Sequence, residues 1–131
     1  MSAGNAQTFR DERGIKIGSF EKNEIIRDNS GQRIVSIDEQ NIIRDKRGSR
    51  INTIDDNGTI RNLRGKKIGS FDEKGIVRNS AGMKIGSIND KGIVRDKRGK
   101  RIGEARNIPI RVVVWFYFFR GRQGIQRENF F

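Results

Sequence analysis

Three pairs of adjacent carboxylates are the first residues here that could do chemistry: Asp38-Glu39, Asp55-Asp56 and Asp72-Glu73. Such pairs can act as acid and base or hold Ca²⁺. They recur every seventeen residues, at turn positions where Asp is already explained by capping its own backbone. Their spacing matches no calcium loop. The 131 residues contain no His and no Cys. That removes the commonest general base, the commonest transition-metal ligand, the thiolate zinc site and any disulfide. The expectation is no catalytic residue, no metal, no cofactor and no enzyme.

The cations are the second candidate. The net charge is +12. Arg10, Arg27, Arg44, Arg61, Arg78 and Arg95 recur at the same seventeen-residue interval, and Lys66-Lys67 and Lys100-Arg101 follow two of the turns. The candidate anion-binding set is Arg44, Arg61, Arg78, Arg95, Lys66, Lys67, Lys100 and Arg101. It could meet membrane headgroups, lipopolysaccharide or a nucleic-acid backbone. Nucleic acid is the less favoured, because the repeats lack exposed aromatics for base stacking. The bland alternative is that the arginines solvate an apolar-poor surface and pair with neighbours such as Asp28 and Asp45. Another protein is the remaining partner class, and oligomeric state is left open.

The elements that must position these residues come from one repeated unit. Ile76–Gly92 has copies from Thr8, Ile25, Ile42, Thr59 and Ile93, the last fading after Gly103. A fixed short period means stacked or ring-closed copies of one supersecondary unit. Each copy holds two β-branched runs, too short for helices and right for strands. Between them stands Asp/Asn-x-x-Gly, with Gly14, Gly31, Gly48, Gly65, Gly82 and Gly99 as structural turn glycines. Asp or Asn opens a type I turn, and glycine then takes the left-handed position. A second turn of similar grammar follows the second run. There Asn41 and Glu24 stand where later copies have glycine, and Glu24 predicts a looser turn.

The spacing predicts an all-β fold of about six two-stranded, seventeen-residue repeats. Five whole hairpins, 15–28 to 83–96, leave two half-units, Thr8–Asp11 and Lys100–Ala105. Pairing of the halves would close the array and hide both edge strands. Gly18, Gly69, Gly86 and Gly103 inside the second strands mark a bulge, a bend or a close approach. In an up-and-down array, all turns of one kind share one end. The first turns, their exit residues and the arginine column carry +15, against −6 on the second turns. The particle should have one basic rim and one acidic rim.

Only 33% of residues are apolar and 34% are charged, so the repeats alone make a thin core. Val112–Phe119 is the concentrated apolar segment. We expect Val112, Val114, Trp115, Phe116 and Phe118 to fill the interior. Three valines in a row favour a strand; a threaded helix is the alternative, and an exposed anchor is a third reading. The divisions are a polar leader at 1–7, a repeat array at 8–109, a core-filling segment at 110–120 and a polar tail at 121–131. No apolar run reaches the roughly 20 residues of a membrane-spanning helix. Ser2–Gln7 resembles the small-residue end of a secretion signal. A trimmed signal would imply a periplasmic, envelope or secreted protein; otherwise the expectation is cytoplasmic.

Phrases such as Gly65-Lys66-Lys67-Ile68-Gly69-Ser70, together with Phe116-Tyr117-Phe118-Phe119, resemble the five-fold β-flower repeat proteins of Bacteroidetes. The resemblance covers roughly Thr8 to Phe119. It implies β-hairpin petals around an axis, and no activity or catalytic residues. This chain departs from it in being far more basic. Residues and resemblance together point to a non-enzymatic structural or binding module, envelope-associated or part of an assembly. A basic-rim anion binder is the alternative and a hydrolase the least favoured reading.

Overall fold

Each repeat is set by its turns. In the first kind of turn, Asp11 Oδ1 accepts the backbone N–H of Arg13 and of Ile15 at 2.8 and 3.0 Å. The N–H of Gly14 returns to the Asp11 carbonyl at 3.0 Å, and Gly14 takes φ +82°. The same pattern recurs at Asp28, Asp45, Asn62, Asn79 and Asp96. One side-chain oxygen thus satisfies two donors that a tight turn would otherwise leave unpaired. At the second kind of turn, Asn41 (φ 63°) and Glu24 (φ 72°) adopt the left-handed conformation that Gly58, Gly75 and Gly92 adopt elsewhere. The expected looseness of the first copy's second turn falls on residues 22 and 23, outside the described residues.

The structure, a computed structural model, describes residues 7–21 and 24–121. These residues form twelve strands. The first strands of the repeats are β1 (Gln7–Asp11), β3 (Ile25–Asp28), β5 (Ile42–Asp45), β7 (Thr59–Asn62), β9 (Ile76–Asn79) and β11 (Ile93–Asp96). The second strands are β2 (Lys16–Phe20), β4 (Arg33–Ile37), β6 (Arg50–Ile54), β8 (Lys67–Phe71), β10 (Lys84–Ile88) and β12 (Arg101–Glu104). Every strand pairs antiparallel with its sequence neighbours. The barrel closes where β1 meets β12, with Arg10 opposite Glu104 and Asp11 opposite Gly103. The two half-units therefore pair, and no strand edge of the barrel is left open.

Alternation along the first strands points one residue of each inward. Phe9, Ile26, Ile43, Ile60, Val77 and Val94 are all fully buried. From the second strands come Phe20, Ile37, Ile54 and Ile88, also buried, with Phe71 half-buried; Ala105, just past β12, is buried in the sixth repeat. Each first-kind hairpin has a register shift on its inner side, as between Phe9 and Arg10 or between Ile60 and Arg61. These bulges accompany the bend that closes a sheet of such short strands.

The barrel axis is filled by Val112–Phe119, the inner part of the segment that starts at Ile110. This segment is helical: α1 (Ile110–Val114) passes into a wider π-type winding at Trp115–Phe119. The strand favoured by three successive valines does not form. A closed barrel offers no free edge to a thirteenth strand, whereas a helix satisfies its own backbone in a dry interior. Val112, Val113, Val114, Trp115, Phe116 and Phe119 are buried. Phe118, expected in the core, is half-buried, while Val113 and Phe119 belong to the core as fully as the expected residues. No helix among the described residues is long and apolar enough to cross a membrane. The tail from 122, with Phe130 and Phe131, and the leader at 1–6 lie outside the described residues.

The five aromatic side chains of the winding meet five of the six repeats in ring order, passing over the second. Trp115 donates to Asn52 Oδ1 of the third repeat at 2.9 Å. Phe116 lies against Gly18 of the first, Tyr117 against Gly103 of the sixth, Phe118 against Gly86 of the fifth and Phe119 against Gly69 of the fourth. A Cβ on Gly69 or Gly86 would overlap the facing ring. The strand glycines are thus seats for rings. Where no ring arrives, in the second repeat, Val35 supplies its own bulk and is 4% exposed. Where the ring is an indole, Asn52 supplies the acceptor and also donates from Nδ2 to the Arg61 carbonyl at 3.0 Å. An α-helix turns about 100° per residue, so the fifth of five consecutive side chains would come back to within about 40° of the first. The wider winding spreads them over five of the six repeats in ring order.

Tyr117 is the single tyrosine. Its hydroxyl donates to the Arg10 carbonyl at 2.7 Å and also lies 3.2 Å from the Glu104 carbonyl. Arg10 and Glu104 face each other across the β1–β12 seam, the one strand junction with no covalent turn. The polar ring therefore stands where the barrel needs a tie. Burial pushes the Tyr117 hydroxyl up to about 12, so it stays a donor at any ordinary pH.

Candidate anion-binding rim

Up-and-down connectivity puts all six first turns at one end of the barrel and the five second turns at the other. The two ends are built differently. Gly14, Gly31, Gly48, Gly65, Gly82 and Gly99 have no atom within 4 Å of where a Cβ would stand, so the first-turn tips project clear. The second turns are stitched to the next repeat: Phe71 N–H donates to the Gly58 carbonyl at 3.0 Å, and Ile88 N–H to the Gly75 carbonyl at 2.9 Å. The free rim is the basic one.

Its arginine column has a local structural task. Arg10, Arg27, Arg44, Arg61, Arg78 and Arg95 each donate from a terminal guanidinium nitrogen to the carbonyl of their own turn glycine, at 2.9–3.2 Å. The bond runs from residue i to i+4 and spans the hairpin tip. Arg27 also donates from Nε to Glu21 at 3.1 Å, and Arg61 to Asp55 at 3.0 Å. Asp28 and Asp45, the neighbours expected to pair with arginines, instead cap their own turns. Arg44, Arg78 and Arg95 make no ion pair among the described residues.

The exit residues complete the pattern. Each column arginine stands directly opposite a second cation across its hairpin. The pairs are Arg10 with Lys16, Arg27 with Arg33, Arg44 with Arg50, Arg61 with Lys67, Arg78 with Lys84 and Arg95 with Arg101. Like charges in this relation destabilise a sheet by a few tenths of a kcal/mol each. Arg101 is relieved by Glu104 at 2.7 Å, and Glu104 also pairs with Arg106. Those two arginines hold the Glu104 carboxyl below its ordinary range, Arg106 most. Lys16, Arg33, Arg50, Lys67 and Lys84 have no carboxylate partner among the described residues.

Of the residues singled out from sequence, Arg44, Arg61, Arg78, Arg95, Lys67 and Arg101 come together as members of these pairs. Lys66 and Lys100 sit one residue outward, exposed, each with its backbone N–H capped by the turn Asn or Asp. Lys16, Arg33, Arg50 and Lys84 complete the ring. Their signal was the cation two residues after every turn glycine, legible once the copies are aligned.

The acidic rim holds the carboxylate pairs apart, on successive turns. Asp38 and Asp72 each spend Oδ1 on two backbone N–H groups. Asp55 spends Oδ2 on Arg61, and Asn57 takes over the cap of Thr59. No group of three metal-ligating side chains forms among the described residues. The central helix enters at this rim, beside a shallow cleft lined by Asn41, Asp55, Asp56 and Phe71 with Ile110 and Arg111. Glu24 lies here, and burial first, then Glu39, raises its carboxyl above the ordinary range.

A family model described as "5-fold beta-flower protein" matches residues 6–120. The chain belongs to the β-flower family. Neither the curated proteins nor the solved structures give a match. The family description is structural and names no reaction. Six repeats rather than five make this flower, among the described residues. Five hairpins run continuously through a second turn, and the sixth junction is the β12–β1 seam held by Tyr117.

Proposed function

We propose that this β-flower chain is a non-enzymatic binding module whose first-turn rim engages a polyanion. The observation behind the reading is the ring of six like-charged cross-strand pairs. Folding uses the column arginines to tie the hairpin tips, but it does not call for a second cation opposite each of them. A helix-filled barrel with capped turns would be more stable with a carboxylate at each exit position, by a few tenths of a kcal/mol per hairpin. The column arginines are also pre-oriented by their glycine carbonyls, so little side-chain freedom is lost on binding. Their remaining guanidinium donors suit phosphate or sulfate oxygens. The test is binding to anionic vesicles and to duplex DNA across a salt series. Affinity that is present at about 50 mM salt and falls steeply with added salt supports the reading. Absence of both interactions at that salt removes it.

A further inference from the structure

We infer that the polyanion is an anionic lipid surface, met by the first-turn rim with the barrel axis upright. This rests on the polyanion reading and adds what the cations alone do not specify. Among the described residues four large apolar side chains are exposed, and three of them stand on first turns: Ile15 at 51%, Leu63 at 49% and Met83 at 62%. Ile15 and Met83 occupy the position that Lys66 and Lys100 occupy in other repeats. In ring order β7–β8 and β9–β10 are adjacent and β1–β2 stands opposite β7–β8, so the apolar points lie on both sides of the rim. Between Met83 and Ile15 lies the β11–β12 tip with four cations, Lys97, Arg98, Lys100 and Arg101.

The tips carrying these side chains stand clear of the barrel, and packing does not explain an isoleucine, a leucine and a methionine there. Cations interspersed with isolated aliphatic side chains on one face suit a lipid interface. The charges hold the headgroups, and the apolar tips reach the acyl boundary. A nucleic-acid strand would instead call for exposed aromatics, and the rings of this chain are seated inside the barrel. A second copy offering its acidic rim would bring carboxylates with little apolar surface to receive three such tips; the exposed large apolar residue near that rim is Ile110. Strands of four to five residues fall short of the roughly 9–11 that cross a bilayer, so the lipid is met peripherally.

The experiment is flotation of the full chain with vesicles of phosphatidylcholine alone, and with about 30% phosphatidylserine, at about 50 mM salt. A variant carrying Ile15→Ser, Leu63→Ser and Met83→Ser is compared with the unaltered chain, with duplex DNA as a parallel probe. Ile110→Ser is the control at the opposite rim. Near-ultraviolet circular dichroism from Trp115 checks folding, and Met83→Ser alone serves if the triple variant does not fold. The inference expects flotation with the phosphatidylserine vesicles and none with phosphatidylcholine alone. It expects vesicle affinity to fall about tenfold or more in the triple variant, with duplex binding unchanged. Vesicle binding that the serine substitutions leave intact overturns the lipid seating and leaves the polyanion reading standing. Duplex binding without vesicle binding overturns the inference in favour of nucleic acid. Binding to neither overturns both.

Discussion

Replacing Gly69 by alanine tests whether the strand glycines are seats for the central rings. A Cβ there would overlap Cζ and Cε1 of Phe119 and would stand 2.7 Å from the Arg78 carbonyl oxygen. The carbonyl is not the barrier, because Val35 and Asn52 already carry side chains at the equivalent position. The ring is. Overpacking of this kind costs about 1–3 kcal/mol, which lowers the melting temperature of a domain this size by roughly 3–15 °C. Phe119→Leu removes the two clashing atoms and gives up about 1–2 kcal/mol of ring burial. The double variant should then be about as stable as Phe119→Leu alone, a favourable coupling equal to the Gly69→Ala cost, about 1–3 kcal/mol. Chemical denaturation of the four proteins gives the cycle. Strict additivity, or a Gly69→Ala effect below about 0.5 kcal/mol, would refute ring seating as the reason for the glycine.

Four further outcomes follow from the interior and the turns. Asn52→Ala should cost about 2–4 kcal/mol, because it strands both the Trp115 indole N–H and the Arg61 carbonyl; urea midpoints and tryptophan emission report it. Tyr117→Phe should cost about 1 kcal/mol and speed amide exchange at the seam between β1 and β12 more than elsewhere. Asp11, Asp28 and Asp96 titrate below their ordinary 3.8, Asp11 and Asp96 chiefly because each accepts a turn N–H and Asp28 chiefly through the Ser30 hydroxyl. A depressed folded-state pKa gives stability that is full above the unfolded value and lost as pH falls through the folded one. Urea midpoints should therefore drop below about pH 4, while Glu24, raised chiefly by burial, works the other way and makes Glu24→Gln stabilising near pH 7.

Turns and closure were legible in the sequence because their causes are local or countable. Asp or Asn four residues before the N–H it caps, with glycine between, describes a turn that needs no distant partner. Closure followed from two half-units that could satisfy each other. The helix was not legible, because Val112–Val114 prefer extended backbone and only the absence of a free strand edge overrules them. The pairing of Trp115 with Asn52 spans 63 positions, so nothing local in the sequence marks the asparagine at 52 as a required acceptor. The rim was legible as charge but not as geometry. Alignment gave the cations; register was needed to place Arg44 opposite Arg50 and Arg78 opposite Lys84, and to show that the column arginines also bind their own turn glycines.

The most direct test of the rim is the salt dependence of duplex DNA binding by the unaltered chain and by a variant with Arg33, Arg50, Lys67 and Lys84 all changed to Gln. These four have no carboxylate partner among the described residues, so the barrel should stay folded, or gain slightly from relief of like-charge pairs. Every cation that no longer neutralises a phosphate lowers the slope of log affinity against log salt by about 0.9. The account predicts a slope smaller by about two or more, with affinity falling accordingly at low salt. An unchanged slope and affinity in the folded variant would contradict the assignment of the first-turn rim as the anion-binding surface.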